Sequence, residues 1–164
     1  MPIADITIRE YENPDAEDLN RLAVSAFSQF RDQYQDWPAV LAGLSQTSAL
    51  SATGEVIVVK NQNRLVGAVA YFGPDSQKAP FFDQRWPVIR MLVVDPSFRG
   101  NGLGRALSME CLARARRDGS PIIALHTSPI MTVALPMYLR MGFVKAYDAP
   151  PIFGVAYAVY TKLL

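Results

Sequence analysis

The sequence predicts an α/β fold, a mixed α+β sheet of about six or seven strands flanked by about four helices. Three observations carry that expectation. Half of the 164 residues are hydrophobic and 19% are charged, enough apolar material for one core and too much for a disordered chain. Two β-rich runs, Glu55–Lys60 and Arg64–Phe72, flank an Asn61-Gln62-Asn63 turn as the arms of a hairpin do. Further on, an apolar strand, a helical stretch and a second apolar strand succeed one another at Val88–Val94, Gly102–Arg117 and Ile122–His126.

The elements follow in order. Ile3–Tyr11 alternates apolar and polar residues and opens the fold as a strand. Asn13-Pro14-Asp15 starts a helix, with Asn13 as cap and Pro14 in the first turn. Leu19, Leu22, Ala23, Ala26, Phe27 and Phe30 recur at helical spacing and carry it to about Phe30. A weaker helix spans about Pro38–Ser48, with Gly43 inside it. After the hairpin, residues 73–87 form a long loop in which Pro74, Pro80 and Pro87 accompany Phe81, Phe82 and Trp86; long loops in compact domains are often functional. Val88–Val94 is nearly all apolar, as a central strand is. The Gly102–Arg117 helix carries Leu103, Ala106, Leu107 and Cys111 on one stripe and ends at Gly119. Thr132–Met141 is a short helix with Gly142 as C-cap, Phe143–Tyr147 a strand, and Val155–Leu163 the closing strand. With no internal repeat or linker, residues 1–164 read as one domain.

Composition excludes several functions. No apolar run approaches the roughly 20 residues that cross a bilayer. The start, MPIADITIRE, lacks the basic and apolar regions of a signal peptide. The expectation is a soluble, cytoplasmic protein without a membrane partner. A lone cysteine, Cys111, makes no internal disulfide, and one His with one Cys makes no zinc cluster, so no metal is expected. A net charge of +1 does not suggest a nucleic-acid partner. Its distribution is uneven: residues 1–83 carry 6 Lys/Arg against 11 Asp/Glu, and residues 84–164 carry 10 against 4. Such a split can set a cationic wall opposite an anionic one, or arise by chance.

The most informative segment is Val88–Arg105, VIRMLVVDPSFRGNGLGR, a strand and tight turn leading into a glycine-dense helix start. A helix N-terminus offers unpaired N–H groups and partial positive charge. Gly100, Gly102 and Gly104 remove side chains that would hold an anion away, and Arg99 and Arg105 add charge-assisted donors. The segment describes a pyrophosphate cradle. It is not a dinucleotide fingerprint, since Arg105 stands where a third glycine is needed, and it lacks the Lys-Ser/Thr of a Walker A loop. A glycine turn that binds nothing is the bland alternative.

Arg99-x-x-Gly102-x-Gly104, preceded by a hydrophobic strand and Val94-Asp95-Pro96, resembles the acyl-CoA-binding motif of the GCN5-related N-acetyltransferases. Tyr138-Leu139-Arg140-Met141-Gly142-Phe143 is similar to that family's Y-x-x-x-G-F element, and the order of elements agrees over almost the whole chain. The resemblance implies a mostly antiparallel sheet in which the core strand and the strand after the cradle helix are parallel and splay apart to admit acetyl-CoA. It implies that the backbone of Leu92, Val93 and Val94 pairs with the pantetheine arm. Arg99, Gly100, Asn101, Gly102, Leu103, Gly104 and Arg105 would then hold the pyrophosphate. A backbone N–H within Met91–Val93 would face the thioester oxygen, and an amine acceptor, whether a small amine, an amino acid derivative or a peptide N-terminus, would attack with no acyl-enzyme. Tyr138 would be the acid that protonates the departing thiolate. A homodimer would accord with family habit.

Departures from the family pattern bear on the base and on one cofactor contact. Where many relatives carry a glutamate on the core strand stands Arg90, which accepts no proton. The candidates for base are Glu55, Asp83, His126 and a water chain. Relatives often have asparagine where this chain has Met131, with Thr127 or Ser128 as substitutes. Cys111, mid-helix on the apolar stripe, reads as core packing rather than a nucleophile. Phe27, Phe30, Tyr34, Trp37, Phe81, Phe82 and Trp86 are candidates for the acceptor pocket, for core packing or, in the loop, for a dimer contact. Asp32, Asp36 and Asp83 are candidates to attract a cationic amine or plain surface. Besides catalysis, a non-catalytic acyl-CoA-binding module and a domain holding another phosphate stay open.

Overall fold

The computed structural model describes residues 5–164. Seven strands form one sheet in the order β1-β2-β3-β4-β5-β7-β6. They are β1 Ile6–Glu10, β2 Glu55–Asn61, β3 Arg64–Phe72, β4 Val88–Val94, β5 Ile122–Thr127, β6 Val144–Ile152 and β7 Val155–Leu163. All neighbours are antiparallel except β4 and β5. Four α-helices cover the sheet: α1 Ala16–Phe27, α2 Trp37–Leu44, α3 Leu103–Arg117 and α4 Ala134–Arg140.

The period of two in the hairpin decides which helix meets which face. Val56 and Val58 of β2 point to the side where α1 lays down Leu19, Leu22, Ala23 and Ala26. Ile57 and Val59 point the other way, to Leu103, Leu107, Cys111, Leu112 and Ala115 of α3. Both faces are therefore buried, and β2 and β3 read as near-continuous apolar runs. Cys111 is fully buried in this second layer, as its stripe predicts, and burial pushes its thiol up to about 12.

Several boundaries differ from the sequence reading. Of the first strand, Ile3 and Ala4 lie outside the described residues. At the first helix, Glu12 rather than Asn13 is the cap, and Asn13–Asp15 forms a 3₁₀ turn closed by Asp15, which accepts from the Glu12 amide at 2.8 Å. The α-helix stops at Phe27, and Ser28–Gln33 continues as 3₁₀. The second helix starts at Trp37 because Asp36 accepts from the Ala39 amide, at 3.1 Å. In α4, Pro136 falls in the first turn, so the helix begins at Ala134 rather than Thr132. The greatest difference is β6, which runs on through Pro150 and Pro151 to Ile152. It is an edge strand, where missing N–H donors are tolerated, and its register with β7 slips between Ala149 and Ile152.

The uneven charge is partly consumed in holding the layers together. Arg114 and Arg117 of α3 both reach Glu55 of β2, at 2.7 and 2.8 Å, and Arg114 also bonds Glu10 of β1. Arg64 of β3 meets Asp95 at 2.5 Å. Among the described residues no helix is long and apolar enough to cross a membrane, and no cluster of His, Cys, Asp or Glu could hold a metal ion.

Candidate active site

The parallel neighbours β4 and β5 share one register pair, Val88 with Ala124, beside the bond from the Ala124 amide to the Pro87 carbonyl at 2.9 Å. Beyond that point they separate. On its other side β4 carries a bulge: Ala70 pairs with Arg90 and Ala68 with Val93, so Met91 and Leu92 together face Val69. Met91 takes φ 54°, an uncommon conformation for a side chain of its size. The sheet is thus open on one side of β4 and irregular on the other at the same level.

The segment after β4 is locally determined. The Asp95 carboxylate accepts from the Ser97 amide at 2.8 Å and starts the 3₁₀ turn Pro96–Phe98. Gly100 and Gly102 then adopt φ 78° and 77°, which a residue with a Cβ reaches only under strain, and an added Cβ at either would meet open space. The loop so made delivers the N-terminus of α3 to a cavity of about 420 Å³. Every sequence candidate for cofactor binding lines this cavity except Asn101. The Asn101 side-chain amide instead donates to the carbonyls of Phe98 and Arg99, at 3.0 and 3.2 Å, and so holds the loop itself. Arg99 reaches across to the Ala26 carbonyl at 3.3 Å, tying the loop to the end of α1. Arg140 of α4 also lines the cavity and was missed in the sequence reading. Among the described residues none of Arg99, Arg105 and Arg140 is in an ion pair, so all three remain available to an anion.

A second cavity, of about 360 Å³, lies on the other side of the bulge. Phe27, Leu92, Met131 and Ala134 line both cavities, so the two meet there. Tyr138 lines the second, 5% exposed, with burial raising its phenol above the usual value near 10. Its position follows from how α4 ends. The Gly142 amide bonds the Leu139 carbonyl and the Phe143 amide the Tyr138 carbonyl, both at 3.0 Å, with Gly142 at φ 96°. The chain therefore doubles back, and the Phe143 ring meets the Tyr138 ring edge-on at 5.5 Å. The Y-x-x-x-G-F spacing is the spacing of this helix end.

The candidate bases separate clearly. Glu55 is occupied by Arg114 and Arg117 at the far end of β2, which hold its carboxyl low, and it lines neither cavity. Asp83 is held down to about 2 by Arg85 and lies outside both cavities. His126 lines the second cavity, where burial and nearby Arg90 bring its imidazole down to about 4. It is neutral at physiological pH. Asp36 is engaged as a cap, and Ser128 accepts from the Ile130 amide at 3.3 Å within its own turn. Met131 sits at the junction of the cavities, its sulfur 3.5 Å from the Thr127 hydroxyl. Of the aromatic residues, Phe27 and Tyr34 line the second cavity, while Phe81 and Phe82 pack on the His126 ring and Trp86 on the core.

An opened parallel pair, a glycine cradle and three arginines free of ion pairs define an α/β protein whose wedge suits a long anionic ligand beside a second, largely apolar cavity. Residues 11–143 match the model of the Acetyltransferase (GNAT) family, and the chain belongs to that family. It is 24% identical over 152 residues, 92% of its length and 44% of the other's, to mycothiol acetyltransferase of Renibacterium salmoninarum. It is 26% identical over 132 residues to S-alkylcysteine N-acetyltransferase of Bacillus subtilis, covering 79% of this chain and 73% of that one. The chain spans less than half the length of the mycothiol relative. A GCN5-related N-acetyltransferase from Rhodopseudomonas palustris superposes with TM-score 0.77 at 21% identity, covering 100% of this chain and 99% of that one. The Salmonella typhimurium protein yncA, solved with its cofactor acetyl-CoA, superposes with TM-score 0.68 at 18% identity, covering 98% and 94%. These likenesses are of fold.

Proposed function

We propose that the protein is an N-acetyltransferase that moves an acetyl group from acetyl-CoA directly to an amine, with no acyl-enzyme. The observation that carries this reading is the meeting of the two cavities at the bulge of β4, which allows a donor and an acceptor to approach one carbon from opposite sides. The fully buried Cys111, its thiol pushed up to about 12, supports transfer without a covalent intermediate.

The cradle fits acetyl-CoA on this chain's own terms: open space over Gly100 and Gly102, and three arginines free of ion pairs. Arg99, Gly100, Gly102, Leu103, Gly104, Arg105 and Arg140 hold the pyrophosphate end, and Leu92, Val93 and Val94 line the path of the arm. Acetyl-CoA supplies the activated carbonyl carbon; the amine nitrogen bonds to it as the carbon–sulfur bond breaks. Tyr138, protonated throughout the neutral range, donates a hydrogen bond to the leaving sulfur. Of Glu55, Asp83 and His126 only His126 lines the second cavity, which supports it, or a water chain beside it, as the acceptor of the amine proton.

Thermal unfolding with excess acetyl-CoA, and with ATP as control, tests the cofactor. At about 100 times the dissociation constant a ligand adds roughly 2.7 kcal/mol, which raises the midpoint about 2–4 °C per kcal/mol in a chain of this size. A rise with acetyl-CoA alone is expected, followed by CoA release on adding an amine; a rise without release from any amine leaves a non-catalytic binding module.

A further inference from the structure

Arg90 is the one fully charged side chain lining the second cavity among the described residues. No Asp or Glu faces it there. The acids the sequence offered for the site are engaged elsewhere: Asp36 caps α2, Asp83 is paired with Arg85 at 2.7 Å, and Glu55 with Arg114 and Arg117. Arg90 itself makes no ion pair among the described residues, and its guanidinium carbon lies 5.7 Å from the centre of the Phe72 ring. Partial desolvation lowers its pKa, with no acidic neighbour opposing the shift. A guanidinium nonetheless stays charged at neutral pH. Arg90 is itself exposed, so its guanidinium is open to an anion that arrives with the ligand.

The rest of the cavity says what else the ligand carries. Its walls are largely apolar, with Val40, Leu44, Leu50, Ile89 and Phe153 among them, and the polar side chains there besides Arg90, such as Gln46 and Thr47, carry no charge. A purely cationic acceptor such as a polyamine would meet the like charge of Arg90 and no acidic side chain among the described residues lining the cavity. We propose that Arg90 binds the carboxylate of the acceptor, and that the acceptor is an α-amino acid with an apolar side chain. This rests on the acetyl-transfer reading, which places the acceptor in the second cavity. The guanidinium fork matches a carboxylate with two parallel hydrogen bonds. The α-amino group then lies one carbon from that anchor and reaches the bulge, while the side chain lies on the apolar walls. Arg90 thus stands on the core strand as a specificity residue for the acceptor.

The test uses matched pairs: N-acetyl leucine, methionine and phenylalanine, each against its C-terminal amide, titrated calorimetrically into the protein saturated with CoA. The same amino acids and amides are then assayed for CoA release. The wild type should favour at least one acid over its amide by 10-fold or more in dissociation constant, and in KM rather than kcat. Arg90→Gln should bring that ratio to near one, and Arg90→Lys, which keeps the charge and loses the fork, should restore part of it. Both variants should keep the thermal shift with acetyl-CoA, which shows that fold and cradle are intact. No preference for the acid in any pair, or a preference that Arg90→Gln leaves unchanged, overturns the assignment. An acid preference that depends on Arg90 without CoA release from any amino acid supports the carboxylate site and refutes acetyl transfer instead.

Discussion

The ring of Phe82 stacks on the imidazole of His126, with centroids 5.7 Å apart and 11° between the planes. Phe81 covers the same imidazole at 5.2 Å, and Tyr157 meets it edge-on at 5.2 Å. The proline-punctuated loop before β4 therefore acts on the site by walling in a histidine. Tyr147 fastens that loop by donating to the Phe81 carbonyl at 2.5 Å. His126 Nδ1 is buried without a hydrogen-bond partner, and the imidazole is brought down to about 4.

That enclosure makes stability depend on pH. In the unfolded chain a histidine takes up its proton near 6.5, whereas the folded protein resists until about 4. The contribution is therefore fully present above about 6.5 and is lost as pH falls from there toward 4, amounting to up to about 3 kcal/mol. Between pH 7 and 5 the unfolding midpoint of the wild type should fall more steeply than that of His126→Gln. Parallel curves for the two proteins would show that the imidazole is not held neutral. Depressed carboxylates such as Glu55 act in the other window, below about 4.3, and do not interfere.

Tyr138→Phe keeps the edge-on contact with Phe143 and removes only the hydroxyl. It should lower kcat by roughly 100-fold, the low end for a positioned acid, with the acetyl-CoA dissociation constant changed little. Equal rates at saturating substrates, with chemistry rate-limiting, would take the hydroxyl out of the reaction.

Gly102→Glu sets a carboxylate where three arginines await an anion. The thermal shift with acetyl-CoA should vanish. The apo-protein should lose a few degrees as well, because a left-handed residue with a Cβ costs roughly 1–2 kcal/mol. An undiminished acetyl-CoA shift would place the pyrophosphate elsewhere.

Gly104 differs from its neighbours, having no positive φ and sitting inside the first turn of α3. A methyl group there would lie 3.5 Å from the Met137 sulfur and 3.8 Å from Leu92, both lining the first cavity. Gly104→Ala should raise the apo-protein's stability by about 0.5–1 kcal/mol, the helix preference of alanine. The same change should weaken acetyl-CoA binding measured by calorimetry. A rise in stability with unaltered affinity would show that this wall is not in contact with the ligand.

Arg90, His126 and β6 show where sequence reasoning stopped short. The sequence reading ends this strand at Tyr147, whereas β6 runs on to Ile152, because its place at the sheet edge makes Pro150 and Pro151 acceptable. Glu55 and Asp83 were reasonable bases as residue types, and both turned out to be bound by arginines, one of them Arg117, 62 positions away in the chain. That Phe81 and Phe82 wall in His126 has no local signal at all.

What the sequence determined by itself was everything whose cause lies within a few residues. Alternation in the hairpin sorted side chains between the two faces. The run Asp95–Arg105 contains its own cap, its own turn and the glycines its conformation needs. Tyr138, Gly142 and Phe143 encode a helix end that sets its own tyrosine against its own phenylalanine. The tertiary structure alone decided what depends on register across the sheet: that β4 and β5 part after Val88 and Ala124, that two cavities meet at the bulge beside Val69, and that Arg90 faces the second of them without a carboxylate. A one-residue slip in any of those pairings turns a different side chain into the cavity, and no spacing along the chain records which register the packed layers select.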